Sequence, residues 1–152
     1  HLIDFGTAEA LLDRNGARRA APQRMEGTLP YMATTVHQKQ PLSKRDDLES
    51  LAWTLVKLHL GALPWEALDM KKEKDVLKQK EACKKNVAAL GKLDPTMLKF
   101  FDVLLSTTAA LRSDEEPNYP ALLALVRDAW KAGTPKREFG SFPAGGKARI
   151  VL

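Results

Sequence analysis

Residues 43–61 constrain the fold of this chain more than any other segment, because they have the pattern of a long and largely apolar helix. Ser43 and Asp46 form a Ser-x-x-Asp pattern that is typical of a helix start, and Gly61 is placed to end the helix. The apolar side chains of the segment are Leu48, Leu51, Ala52, Trp53, Leu55, Val56 and Leu58. A helix with so wide an apolar face should be largely buried. We therefore expect it at the centre of a mainly helical fold.

Further helices are predicted downstream of this segment. Residues 69–86 are rich in lysine and carry few apolar residues, which is typical of a solvated helix at the rim of a domain. Asp94 and Pro95 form a helix start ahead of an apolar pattern with helical period. Residues 118–132 repeat this pattern and are followed by Gly133, which favours a helix end.

The two ends of the chain have weaker patterns. Residues 2–12 carry short apolar runs around Gly6, which predict two short strands or a strand and a turn. Residues 13–30 read as a loop. Residues 134–152 hold glycine and proline without periodicity, so we expect a flexible tail after one domain at residues 1–133.

Composition excludes several classes of protein. The 152 residues, with 44% hydrophobic and 28% charged side chains, suit one globular domain. No apolar run reaches the ~18 residues of a membrane helix, so no membrane partner is expected. Cys83 is the only cysteine, which excludes a disulfide framework and favours the cytoplasm or nucleus. The histidines His1, His37 and His59 lack the spacing of a zinc site and are interpreted as surface or core residues.

The net charge of +5 raises a nucleic-acid partner as a further hypothesis. The lysines of residues 71–85 alternate with acidic residues, and no aromatic residues are interleaved with them. This pattern fits a solvated helix better than a nucleic-acid interface. We therefore expect a monomer that binds no nucleic acid.

One short motif, Asp4-Phe5-Gly6, is a candidate for chemistry. Taken alone, it is a strand end followed by a turn at Gly6. The stretches that follow it in order are a loop ending in Gly27-Thr28, "LPYMATT", "SKRDDLESL", "GALPW" and "LRSDEEPNYPALLALV". This order resembles the C-terminal lobe of eukaryotic protein kinases, and specifically the casein kinase I group, which includes the vaccinia-related and tau-tubulin kinases. The resemblance covers residues 1–130.

The resemblance implies a Ser/Thr kinase that uses ATP and Mg²⁺ on a protein substrate. Asp4 would be the catalytic aspartate that binds the Mg²⁺ bridging the ATP phosphates. Phe5 would pack into the hydrophobic spine and set the direction of Asp4, while Gly6 would allow the backbone to turn. Gly27 and Thr28 would begin the segment that receives the substrate peptide.

Asp47 matches the aspartate that begins the central helix of these kinases and accepts backbone hydrogen bonds from the catalytic loop. Without the resemblance, Asp47 is a carboxylate in the first turn of a helix, stabilised by the helix dipole. The resemblance favours the first interpretation.

Several kinase elements are missing from these residues. The Gly-rich loop, the strand Lys, its partner Glu and the catalytic-loop Asp and Asn all precede Asp-Phe-Gly in kinases, and no His-Arg-Asp occurs here. We therefore expect a C-lobe fragment of a protein-kinase-like α+β fold, without its N-lobe, that transfers no phosphate alone. The alternative is a non-catalytic pseudokinase or truncated lobe that serves as a protein-interaction module.

Two features within the resemblance bear on regulation. Pro30 stands where the casein kinase I group has an Arg that helps to bind phosphate on primed substrates, which argues against a preference for such substrates. Residues 8–27 contain no Ser, Thr or Tyr. We therefore expect an activity that does not depend on phosphorylation within that stretch.

Overall fold

The computed structural model of this protein describes residues 8, 10, 13–15, 17, 19, 27–69 and 72–133. The elements in these residues are α1 (Thr34–His37), α2 (Lys44–Leu60), α3 (Glu73–Lys85), a 3-10 helix (Val87–Leu90), α4 (Pro95–Ala110) and α5 (Tyr119–Gly133). No strand occurs in the described residues, so this part of the fold is all helical, as predicted. The strands predicted for residues 2–12 and the tail predicted for residues 134–152 fall outside the described residues. Within the described residues, no helix is both long and apolar enough to cross a membrane.

Helix α2 is the central element, as predicted from its apolar pattern. Its N-cap is Ser43, whose backbone N–H donates to the Asp46 carboxylate at 2.6 Å. Its C-cap is Gly61, whose φ of +81° lies in the left-handed region that favours glycine. Trp53 and Val56 are fully buried and face the core that α2 shares with α4. The caps and the core face thus agree with the sequence pattern.

Helix α2 is largely buried on its core side, but two of its apolar residues are exposed. Leu51 is 50% exposed and Leu58 is 76% exposed. At 100° per residue, both lie on the side of the helix opposite to Glu49 and Val56. The described elements pack against one side of α2 and leave the other side uncovered.

The core between α2 and α4 is built around aromatic rings. Trp53 and Trp65 meet edge to face with ring centroids 5.0 Å apart, and Phe100 and Phe101 do so at 5.2 Å. Asp94 caps α4 as predicted, because its carboxylate accepts from the backbone N–H groups of the next turn. Helix α5 packs on α4 and completes this layer.

Helix α3 departs from the solvated rim helix predicted for residues 69–86. Val76, Lys80 and Cys83 form a buried stripe along one side of it, and Lys80 is completely buried. The lysine-rich composition concealed this stripe, since a buried lysine counts as polar in any pattern of hydrophobicity. Val76 and Cys83 pack in the core around Trp53 and Trp65. Lys80 contacts α1 and the residues that precede it.

Candidate functional site

The residues around Gly27 and Thr28 form an exposed turn. Gly27 has a φ of +104°, which requires glycine even though a side chain there would meet no neighbour. The carbonyl oxygen of Thr28 accepts the backbone N–H of Tyr31 at 2.9 Å and that of Met32 at 3.1 Å. We call residues 28–32 the 28–32 turn. Its first residue, Thr28, is exposed, whereas Met32 at its end is buried.

Two fully buried side chains bind the backbone of this turn. The indole Nε1 of Trp65 donates to the Pro30 carbonyl at 2.8 Å. The ammonium Nζ of Lys80 donates to the carbonyl oxygens of Leu29 at 2.8 Å and Met32 at 2.7 Å. These bonds are not part of the backbone hydrogen-bond pattern of a helix or a sheet. The shape of the turn therefore depends on two side chains from outside it.

Lys80 has a third partner, which links the turn to α1 and α3. Its Nζ lies 3.1 Å from Nε2 of His37, and Nδ1 of His37 lies 3.1 Å from Oε1 of Glu73. Lys80 Nζ also lies 5.4 Å from the centroid of the Trp65 ring, within the range of a cation–π contact. The three hydrogen-bond partners of Nζ match the three protons of an ammonium group.

The ionisation of this cluster follows from its burial. Burial lowers the pKa of Lys80 to about 7, and the negative charge of Glu49 acts in the opposite direction. The three acceptors around Nζ fit the charged form, so we infer an ammonium in this structure. Burial, and next the charge of Lys80, lowers the pKa of His37. A neutral His37 can donate from Nδ1 to Glu73 and accept at Nε2 from Lys80.

A second group of bonds fixes α1 to α2 and α3. The carboxylate of Glu49, which is 2% exposed, accepts from the Thr34 backbone N–H at 2.9 Å and from the Thr34 hydroxyl at 3.1 Å. Lys84 donates to the same carboxylate at 2.6 Å and to the Thr34 hydroxyl at 2.8 Å. The Thr35 hydroxyl donates to Asp46 in the first turn of α2. Helix α1, which follows the 28–32 turn, is therefore tied to the central helix.

Asp47 lies in the first turn of α2, as predicted, and is exposed. No described residue donates a hydrogen bond to its carboxylate. Desolvation, and next the adjacent Asp46 carboxylate, raises the pKa of Asp47. The predicted role of Asp47 toward the catalytic loop stays a prediction.

The other predicted site residues, Asp4, Phe5 and Gly6, lie outside the described residues. Their predicted roles therefore remain predictions. Among the residues that are described, no group of three or more His, Cys, Asp or Glu side chains is placed to hold a metal. The site that the structure does bring together is the 28–32 turn with the side chains beneath it.

Sequence reasoning missed Glu49, Lys80 and Lys84, and treated Trp65 only as part of a motif. A signal was nevertheless present for two of them. Glu49 occupies the helical position that continues the apolar stripe of Trp53 and Val56. Lys80 occupies the same kind of position between Val76 and Cys83. An ionisable residue inside an apolar stripe indicates a buried, paired charge.

Comparison with known proteins gives relatives over nearly the whole chain. No protein-family model matches it. It is 32% identical to the casein kinase 1-like protein HD16 of Oryza sativa subsp. japonica, over 99% of this chain and 22% of that protein. It is 29% identical to casein kinase I homolog 2 of Schizosaccharomyces pombe, over 87% of this chain and 31% of that protein. It is 33% identical to a probable serine/threonine-protein kinase of Dictyostelium discoideum, over 86% of this chain and 25% of that protein.

Proposed function

Because this chain is homologous to part of the casein kinase 1-like serine/threonine protein kinases, we propose that it contributes the C-terminal lobe of such a kinase. The reaction is transfer of the γ-phosphoryl group of ATP to a hydroxyl of a protein substrate. The observation that carries this proposal is the similarity to kinases over 86–99% of the chain. The chain spans only 22–31% of these relatives, so the activity belongs to a larger assembly of kinase elements.

In this proposal the 28–32 turn and Asp47 have different roles. The 28–32 turn receives the substrate peptide, beginning at Gly27 and Thr28. Asp47 accepts hydrogen bonds from the catalytic loop, which supplies the base. These roles agree with the exposure of Thr28 and with the lack of a hydrogen-bond donor to Asp47 in the described part of the chain.

Asp4, Phe5 and Gly6 form the nucleotide side of the proposed site. Mg²⁺ prefers carboxylate oxygens, and Asp4 would provide one, so the residue type fits the ion. When bound, Mg²⁺ neutralises charge that develops on the ATP phosphates. In this proposal, Phe5 would set the direction of the Asp4 side chain, and Gly6 would allow the backbone to turn at that residue. We place this kinase in the cytoplasm or nucleus, as a monomer.

The test uses the full-length protein that contains this chain. We expect the coding sequence upstream of His1 to encode a Gly-rich loop, a strand Lys and His-Arg-Asp with an Asn five residues beyond that Asp. The purified protein should then bind Mg-ATP and phosphorylate a generic acceptor protein, and Asp4→Asn should abolish both. Gly6→Ala changes the motif itself and is therefore not a suitable control. Asp13→Asn, in the loop that follows, should leave Mg-ATP binding intact.

The alternative is a non-catalytic interaction module. An upstream sequence without the catalytic Asp, or Mg-ATP binding that is absent from the wild-type protein, would favour it. Phosphatase treatment provides an independent check, because residues 8–27 hold no phosphorylatable hydroxyl. We expect the treated kinase to keep its activity.

A further inference from the structure

We propose that Lys80 is a positioning residue for the substrate peptide, and that with Trp65 it sets the shape of the 28–32 turn and thereby which peptides are accepted. This inference rests on the proposed function, since it assigns to α3 a role in the same peptide-binding segment. Lys80 does not touch the reacting atoms; it acts through the backbone of the turn.

The carbonyl groups of the turn depend on Lys80 and Trp65. Leu29, Pro30 and Met32 direct their carbonyl oxygens toward buried donors, two of them toward Lys80 Nζ and one toward Trp65 Nε1. A carbonyl buried without a donor is unfavourable, so the backbone would have to turn toward water if a donor were removed. Removal of Lys80 Nζ therefore changes the backbone path at both ends of the Leu29–Met32 stretch.

Lys80 occupies a buried position in α3. It is completely buried in a stripe whose other members, Val76 and Cys83, are apolar. Burying an ammonium is unfavourable unless its protons are bonded, and an aliphatic side chain would fill this position without that cost. All three protons of Lys80 find acceptors, and two of these are the turn carbonyls. Packing alone therefore does not account for a lysine here.

The side chains of the turn are the part that a bound peptide would meet. Thr28 is exposed, and Leu29, Pro30 and Tyr31, in the same stretch as the anchored carbonyls, are half-buried. A shift of the backbone moves these side chains relative to a bound peptide. Asp4 and Gly6, the proposed nucleotide residues, lie in a different stretch of the chain. Loss of Lys80 should therefore affect peptide recognition and leave nucleotide affinity unchanged.

The test compares Lys80→Met with Lys78→Met in the full-length kinase. Lys78 is an exposed lysine on the same helix, so its variant controls for the loss of one positive charge from α3. We expect Lys80→Met to raise the KM for peptide about tenfold, with the KM for ATP unchanged, and to flatten preferences across peptides varied beside the acceptor. Lys78→Met should match the wild type. Equal changes in both KM values, a fall in kcat alone, or no change would overturn the proposal.

A second variant keeps the proposal testable if Lys80→Met does not fold. Trp65→Phe removes the donor to Pro30 and keeps a smaller aromatic ring in the core, and it should shift the peptide KM in the same direction. Amide hydrogen exchange at Tyr31 and Met32, whose N–H groups close the turn, should be faster in both variants than in Lys78→Met. Unchanged exchange would count against the role of Lys80 whatever the activity. A wild-type protein that phosphorylates no substrate would contradict the proposed function instead, and the exchange measurement separates the two.

Discussion

Glu49 connects three elements through one carboxylate. It accepts from Thr34 of α1 and from Lys84 of α3, while it lies on α2 and is 2% exposed. Because the ion pair is shielded from water, removing one partner leaves the other charge buried and uncompensated. The cost of such a change should therefore be much larger than for an ion pair at the surface.

We predict that Glu49→Gln lowers the free energy of unfolding by about 3 kcal/mol. The matched control is Glu66→Gln, because Glu66 pairs with Lys57 at 2.7 Å while both side chains are about one-third exposed. That variant should lose less than about 1 kcal/mol. Urea unfolding of the two variants measures both values. Equal losses would contradict the role assigned to Glu49.

The pKa of His37 leads to a prediction about pH. Burial, and next the charge of Lys80, lowers this pKa below its ordinary value of 6.5. The unfolded chain therefore takes up a proton at His37 at a higher pH than the folded protein does, and stability should fall as the pH drops below 6.5. The pKa of Lys80 is lowered as well, so its ionisation changes stability in the same direction. Stability should rise between pH 7 and 10.5.

Urea unfolding at a series of pH values around 6.5 measures this effect. We expect His37→Gln to flatten the decline at acidic pH, because glutamine does not titrate. His59→Gln should keep the wild-type slope, since His59 is exposed. A His37→Gln slope as steep as the wild type would show that other groups cause the decline.

At the scale of the elements, helix bounds followed from local chemistry. The caps at Ser43, Gly61 and Asp94 are each decided by a few adjacent residues, so the sequence alone could indicate them. Helix α1 and the 3-10 helix were not predicted, because four residues are too few to show a period. Short elements of this kind form only when their neighbours hold them.

The bonds between elements were beyond such reasoning. Lys80 reaches carbonyls that lie 48 and 51 residues earlier in the chain. A pattern within α3 can indicate that Lys80 is buried and paired, but it contains no information about which loop arrives above it. The same holds for Glu49 and Lys84, which are 35 residues apart. The resemblance to kinases singled out Gly27 and Thr28, and only the fold revealed the anchors of the turn that follows them.

The N-cap of helix α4 should contribute measurably to stability. Asp94→Ala removes the side chain that accepts from Thr96 and Met97 at the start of α4, and should cost about 1 kcal/mol of stability. Asp102→Ala changes an exposed aspartate within the same helix and should stay within about 0.5 kcal/mol of wild type. Thermal unfolding compares the two. Equal stability of both variants would show that the cap contributes nothing.

At the scale of the whole molecule, the uncovered side of α2 is the prominent feature. Leu51 and Leu58 are exposed there, and Leu123 and Val126 are 56% and 49% exposed on α5. Exposed apolar side chains such as these favour association between molecules through apolar contact. Within the described residues, α2 therefore has one side that faces the core and an opposite side with exposed apolar residues.

The monomer proposed above is the full-length kinase, in which other parts can cover this face. For the isolated 152-residue chain, we predict that combining Leu51→Glu with Leu58→Glu reduces self-association and leaves thermal stability nearly unchanged. Leucine and glutamate have similar helix propensities, so the helix itself should tolerate the change. Sedimentation velocity reports the association. Val56→Ala, on the buried side of the same helix, should instead cost about 2 kcal/mol. Unfolding of the double variant would show that other parts of the chain cover this face.

The way in which the 28–32 turn is held has a consequence for how such a protein can diverge. Trp65 and Lys80 bind main-chain oxygens, which every amino acid possesses, so the anchors are indifferent to the side chains of residues 29–32. A gene duplicate could exchange Leu29 or Pro30 for another residue and keep the same loop shape. New substrate preferences could then arise one mutation at a time, without passing through an unfolded ancestor.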